Sequence, residues 1–158
     1  MGFKPAKSDT SLLIRITPHS TLLLLIYVDD IIVIGSLASE VTTLISKLNS
    51  MFSLKDLGPL HYFLGIEIST NNDGGLFLSQ AKYICDLLHK AKMDDSKPLP
   101  TPMVSGLKLT FDASIAMFDP SFYRSIVGGL QYITITRPKL SYSINKVCQY
   151  MHKPQEHH

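Results

Sequence analysis

Asp29 and Asp30 stand between two apolar runs, residues 22–26 and 31–34, and no other stretch constrains the fold as strongly. Runs of that length, the second ending in Gly35-Ser36, read as two buried strands. Only a few residues separate them, so they form a hairpin whose tip carries both acids. The tip breaks a local rule. Tight hairpin turns need positive φ and favour Asn, Asp or Gly, yet Val28 is β-branched. A poor turn residue beside two charges inside an apolar hairpin is the kind of local conflict that marks a functional site.

Adjacent carboxylates resist joint ionisation unless a cation is near. A divalent metal removes that conflict, and carboxylates are ordinary Mg²⁺ ligands. Phosphoryl-transfer sites commonly hold two such ions about 4 Å apart. Successive side chains of a straight strand point to opposite faces. Asp29 and Asp30 therefore cannot both aim at one metal unless the turn re-aims one of them, and one full ligand and one lesser contributor are expected. A two-metal site also needs an acid from elsewhere. Asp9, Asp56 and Glu67 are the acids considered, and none stands at a metal-ligand spacing. Taken as residues alone, the plain alternative is a turn with two solvated acids.

Composition narrows the class. With 158 residues, one domain is expected, or one domain plus an incomplete neighbour. Hydrophobic residues make up 45% and charged ones 18%, which excludes a disordered chain and suggests a surface partly covered by other protein. A net charge of +2 permits a nucleic-acid partner without arguing for one. Cys85 and Cys148 lie far apart and read as two free, buried thiols of a reducing compartment. The N-terminus lacks a signal-peptide pattern, and Lys7 stands where myristoylation wants Ser or Thr. The longest apolar stretch, residues 21–35, is broken by the two aspartates. A membrane span needs about 18 to 20 nearly uncharged residues, so no membrane partner is expected. The location expected is intracellular: cytoplasm, nucleus or an organelle.

The rest of the chain predicts an α+β fold, an antiparallel sheet with packed helices followed by a helical part. Residues 11–17 add a strand before the hairpin. Ser36 reads as an N-cap for a helix whose stripe is Val41, Leu44, Ile45, Leu48 and Phe52. Residues 61–69 read as one strand, 71–75 as a turn and 76–78 as a return strand. Ser79 can cap a helix with Ala81, Ile84, Leu87, Leu88 and Ala91 on one face and Lys82, Asp86 and Lys90 on the other. Pro98, Pro100 and Pro102 mark a linker, with a short strand around residues 108–111. Asp119-Pro120 starts a helix buried through Tyr123, Ile126, Val127 and Leu130. Gly128-Gly129 inside it suggests close packing against another helix. Arg137-Pro138 opens the last helix, with Leu140, Ile144, Val147, Cys148 and Met151 inward.

Tyr27-Val28-Asp29-Asp30 between apolar strands resembles the catalytic hairpin of reverse transcriptases, specifically those of copia-type retrotransposon Pol polyproteins. Residues 52–68, FSLKDLGPLHYFLGIEI, resemble the segment that follows that hairpin, and residues 80–88 the start of the thumb. Residues 119–151, through Tyr123-Arg124, Gly128, Gln131-Tyr132, Thr136-Arg137-Pro138 and Asn145, resemble the connection toward ribonuclease H. The resemblance implies a palm half plus the start of a thumb over 1–93, a Pro-rich linker over 94–118 and a connection-like segment over 119–158.

The same resemblance implies roles. Asp29 and Asp30 would be catalytic metal ligands for Mg²⁺. Tyr27 and Val28 would lie under the primer 3′ end. Lys55 would stand near the incoming triphosphate, and Phe63, Leu64 and Gly65 would belong to the primer-grip hairpin. The implied partner is an RNA or DNA primer–template. The family's first catalytic aspartate and its fingers lie upstream of the matching residues, and ribonuclease H lies downstream. The expectation is a fragment without polymerase activity of its own. Two alternatives stay open: a nucleic-acid or protein-binding remnant using Lys55, Lys82, Lys90 and Lys92, and a half-enzyme completed in trans by an upstream polymerase fragment. The resemblance also fits a plant mitochondrial origin.

Overall fold

The computed structural model describes residues 2–104, 106–107, 109–110 and 115–158. It is an α+β chain that divides into two compact units, Met1–Leu60 and His61–His158. Among the described residues no helix is long and apolar enough to cross a membrane.

The first unit is a four-stranded antiparallel sheet and one helix. Its strands are β1 (Lys4–Pro5), β2 (Leu12–Ile16), β3 (Thr21–Tyr27) and β4 (Asp30–Gly35), lying side by side in that order. β2 to β4 are the expected meander; β1 is too short to leave a sequence signal. The β3–β4 register places Leu24 opposite Val33 and Leu22 opposite Gly35. Leu22 and Leu24 are buried against Leu44 and Leu48 of α1 (Ala38–Phe52), with Leu13, Ile31, Val33 and Val41 packed around them. Rows Leu12–Leu25–Ile32 and Ile14–Leu23–Ile34 occupy the other face. Both faces are thus apolar, which is why these strands read as continuous greasy runs rather than alternating ones.

Gly35 is required by close approach. A Cβ there would fall 2.5 Å from Leu22 Cδ2 and 2.7 Å from Val41 Cγ2. Arg15 ties the sheet to α1: its Nη2 donates to Glu40 Oε2 at 2.7 Å, and its guanidinium lies 5.5 Å from the Phe3 ring centre. Buried Ser20 donates to the other oxygen of Glu40 at 2.7 Å. That hydroxyl bond, with smaller help from Arg15, holds the Glu40 carboxyl below its ordinary range. Ser36 is not the helix cap. Its hydroxyl instead accepts the Thr21 N–H at 3.0 Å, and Leu37 takes the cap position without a side-chain bond. The sheet edge captures the hydroxyl first, because the Thr21 N–H would otherwise lack a partner where the strands part. Phe52, expected inward, is 61% exposed.

The second unit begins with a three-stranded meander, β5 (Tyr62–Phe63), β6 (Ile66–Thr70) and β7 (Leu76–Ser79). The single strand expected over 61–69 is broken at Leu64-Gly65, where φ is +48° and +81°. Two positive values are the signs of a type I′ turn, and Gly65 supplies the second without steric cost. Helices α2 (Ala81–Lys90), α3 (Pro120–Ile133) and α4 (Ser141–Cys148) follow, with a 3₁₀ turn at Pro138–Leu140. Asp119 caps α3 as expected, accepting from Ser121 and Phe122 N–H at 2.9 and 3.0 Å. At α2 the Ser79 hydroxyl accepts the Ala81 N–H at 3.1 Å, while Gln80 occupies the cap position.

Gly129 meets α2: a Cβ there would fall 2.7 Å from Leu87 Cδ1, whereas Gly128 has open space. Tyr123, Val127 and Tyr150 form this unit's core with Leu109, Met117, Val147, Cys148 and Met151 around them. Burial, with smaller effects of Cys148 and Tyr150, pushes the Tyr123 phenol up, and its hydroxyl donates to Val147 O at 2.8 Å. Cys148 is half-buried, but Cys85 is exposed, against expectation, because Leu87 takes the inward side of α2. Of the strand expected around residues 108–111, residues 108 and 111 lie outside the described ones, and Leu109 and Thr110 between them are not in a strand.

Candidate active-site hairpin

β3 and β4 meet at a two-residue turn. Tyr27 closes it opposite Asp30, and Val28 and Asp29 are its central pair. Val28 has φ +49° and Asp29 is not in the positive region. That sign pattern is of a type II′ turn, whose first position belongs by default to Gly. A β-branched residue there is a backbone outlier costing on the order of 1–3 kcal/mol. The conflict read from the sequence is therefore present in the backbone. It is held by the strands: Ile26 pairs with Ile31, and Leu24 with Val33 behind it.

The strain has a geometric result. Asp29 leaves the pleat and sits in the turn, while Asp30 begins β4 on the same face as its partner Tyr27. Both carboxylates are exposed, as is Val28. Two adjacent carboxylates are hard oxygen donors of the type Mg²⁺ takes, so the tip fits one flank of a divalent-metal site. Among the described residues no group of three or more His, Cys, Asp or Glu completes such a site.

The unit's other acids are engaged elsewhere. Asp9 accepts from the Ser11 N–H and hydroxyl at 2.9 and 2.6 Å, which lowers its carboxyl. Glu40 is held by Arg15 and Ser20. Asp56 accepts the Gly58 N–H at 2.8 Å. Lys55 is exposed in the segment after α1 and, among the described residues, forms no ion pair with either aspartate.

Phe63, Leu64 and Gly65 belong to the second unit, at the β5–β6 turn. The Leu64 carbonyl accepts the Tyr132 hydroxyl hydrogen. Tyr132 also meets the Tyr83 ring edge-on at 5.1 Å, and its carbonyl accepts from Gln80 Nε2 at 3.3 Å. Gln80 is 1% exposed, and its Oε1 accepts the Thr136 hydroxyl at 2.7 Å. Sequence reasoning did not find this support. Its one available signal was Gly65 inside an otherwise strand-like run, which marks a turn. Of the lysines on α2, Lys82 pairs with Asp86 at 2.9 Å, which raises its pKa, and Lys90 donates to the Ser125 hydroxyl.

Comparison with known proteins bears on the same residues. Residues 1–105 match the family described as reverse transcriptase (RNA-dependent DNA polymerase). An uncharacterized mitochondrial protein of Arabidopsis thaliana is 55% identical over 132 residues, 83% of this chain and 54% of that protein. The retrovirus-related Pol polyprotein from transposon RE1 of Arabidopsis thaliana is 43% identical over 158 residues, 100% of this chain and 11% of the polyprotein. That from transposon TNT 1-94 of Nicotiana tabacum is 31% identical over 152 residues, 91% of this chain and 11% of the polyprotein. The chain thus spans 54% of the mitochondrial relative and 11% of the polyproteins. No solved structure matches it.

Proposed function

The chain belongs to the reverse transcriptase family of copia-type retrotransposon Pol polyproteins, and on that premise we propose that it is the hairpin-bearing piece of an RNA-directed DNA polymerase which does not polymerise alone. The observation that carries the reading is the commitment of the acids. Asp29 and Asp30 stand exposed at a strained tip, while Asp9, Glu40 and Asp56 each accept hydrogen bonds within their own neighbourhoods. The first unit supplies two carboxylates to a metal site and keeps its other three for structure.

In this reading Asp29 and Asp30 hold divalent metal. When bound, Mg²⁺ supplies activation of the attacking hydroxyl and neutralisation of charge on the transferred phosphoryl group. The residues of this chain position. Tyr27, on the face of Asp30, and Val28 support the primer 3′ end. Lys55 offers a cation to the triphosphate, and the Phe63-Leu64-Gly65 turn, held through Leu64 by Tyr132, grips the primer. The chemistry served is attack of a primer 3′-hydroxyl on a deoxynucleoside triphosphate. Binding without chemistry is less supported at α2, where Lys82 is paired with Asp86, although Lys90 donates only to the uncharged Ser125 hydroxyl and keeps its charge.

The test is primer extension on an RNA or DNA template with Mg²⁺. Background incorporation is expected from the chain alone. Extension well above background that disappears in Asp29→Ala would overturn the proposal that it does not polymerise alone.

A further inference from the structure

Residues 71–75, Asn-Asn-Asp-Gly-Gly, join β6 to β7 at an exposed hairpin tip. The Gly74 N–H donates to Asn71 O at 2.9 Å, and the Asn71 N–H to Gly75 O at 2.8 Å. Neither Asn72 nor Asp73 has a positive φ, whereas Gly74 has φ +76°. This is a type I turn followed by a left-handed glycine, a common form of three-residue hairpin loop. Asp73 stands at the third position of the turn, so its carboxyl neighbours the Gly74 nitrogen along the chain. Glycine has no side chain to shield that nitrogen, and a Cβ built there would meet nothing within 4 Å. Asp73 is also the one aspartate in the sequence that glycine follows, and no asparagine precedes a glycine.

We propose that Asp73 is a site of spontaneous aspartate isomerisation, gated by this turn. The Gly74 nitrogen attacks Asp73 Cγ. The carboxyl group, in its uncharged form, loses its hydroxyl together with the amide hydrogen as one water, and a five-membered succinimide closes. Water then adds to one of the two ring carbonyls. Addition at Asp73 Cγ breaks the new bond and restores aspartate. Addition at the Asp73 backbone carbonyl carbon breaks the original peptide bond to Gly74, and the chain then runs through Cγ. One water leaves and one enters, so the isoaspartyl product keeps the parent mass and nothing is oxidised or reduced.

The closed turn opposes the first step. The hydrogen of the attacking nitrogen is engaged with Asn71 O. Type I turns hold the third position at ψ near 0°, and the flat ring needs roughly a third of a turn about Cα–C from there. The loop must therefore open before the ring can close, and hairpin tips open at low cost. Once isomerised, the backbone between Asp73 and Gly74 is one carbon longer, so the two closing hydrogen bonds cannot both re-form. The turn thus protects Asp73 while closed and is fixed open by the chemistry. Every reacting group lies within these five residues, so none of this depends on the polymerase reading.

Prolonged warm incubation of the chain at neutral pH tests the proposal, once with the chain folded and once in urea. Isoaspartate is read by enzymatic methylation with an isoaspartyl carboxyl methyltransferase and a labelled methyl donor, followed by peptide mapping. The label is expected in the peptide that contains Asp73, accumulating roughly tenfold more slowly in the folded chain, the protection that one or two backbone bonds supply. In the isoaspartyl fraction, separated by chromatography, the Asn71 and Gly74 amides should exchange faster than in the parent. Asp73→Glu keeps the charge but would have to close a six-membered ring, so it should lose the label at an unchanged melting temperature. A chain that gains no isoaspartate at Asp73 overturns the proposal. So does label that falls chiefly at Asp95-Ser96, label that persists in Asp73→Glu, or an equal rate in the folded chain and in urea.

Discussion

Tyr132, near the end of α3, donates its phenolic hydrogen to the backbone carbonyl of Leu64, so a helix fixes the crest of a hairpin 68 residues earlier in the chain. The Leu64 backbone is left-handed, with φ +48°, and a carbonyl in a tight turn has few other partners. Tyr83 meets the Tyr132 ring edge-on, and Gln80 Nε2 donates to the Tyr132 backbone carbonyl. The β5–β6 turn is therefore held from α3.

Tyr132→Phe keeps the ring and its contact with Tyr83 but removes the donor. The cost expected is about 1 kcal/mol of stability, the usual net worth of one such bond. Hydrogen exchange around Leu64 should accelerate more than exchange in α4. Urea denaturation gives the first quantity, and an unchanged midpoint with unchanged exchange at Leu64 would show that the bond contributes nothing.

Gly35→Ala places a methyl group where Leu22 Cδ2 and Val41 Cγ2 already are. Leu22 is 1% exposed and Val41 is β-branched, so neither can swing aside cheaply. Overpacking of this kind costs typically 1–3 kcal/mol. Thermal melts should show the loss. Leu22→Ala in the same background should recover part of the Gly35→Ala penalty, since it opens the space; strict additivity of the two would contradict the steric account.

The legible parts were those encoded within a few residues. The hairpin at 22–34 announced itself through two apolar runs and a turn residue that disagrees with them. Asp119-Pro120 announced α3 through its cap. Gly129 was readable as a close approach, although Gly128 beside it faces open space. What escaped depended on partners distant in sequence. Ser36 looks like a helix cap until Thr21, 15 residues earlier, takes its hydroxyl. The run over 61–69 looks like one strand because Tyr, Phe and Ile favour strands, and only Gly65 hints at the turn. At the candidate site, the two adjacent acids were legible. The engagement of Glu40 was not, since Arg15 and Ser20 lie 25 and 20 residues earlier, whereas Asp9 and Asp56 each bond a residue two positions on, a local turn habit of Asp that carries no mark of its own in the sequence.

Val28→Gly tests the strain at the acidic tip. Gly enters the positive-φ region freely, whereas Val28 is held there at φ +49°. Relief of the left-handed penalty, about 1–2 kcal/mol, exceeds the entropy cost of the added glycine, of order 0.5–1 kcal/mol. A net gain of a few tenths to about 1 kcal/mol is expected in chemical denaturation. A stability equal to or below that of the parent chain would mean that the tip is not strained.

Glu40 sets the expected acid limb of the pH–stability curve. Its carboxyl lies below the ordinary 4.5, chiefly through the Ser20 hydroxyl bond and secondarily through Arg15. A group whose folded pKa is depressed stabilises the fold above its unfolded pKa, and that contribution is lost as pH falls through the folded value. The loss attributable to Glu40 therefore begins near the ordinary carboxylate range and continues below it. In Glu40→Gln the amide can still accept from Ser20, but it carries no charge for Arg15 and no proton to bind. Midpoints of urea unfolding should then fall less steeply between neutral and acid pH than in the parent chain. Two parallel curves would assign the acid sensitivity to other carboxylates, with Asp9, bonded to Ser11, as the next one to replace.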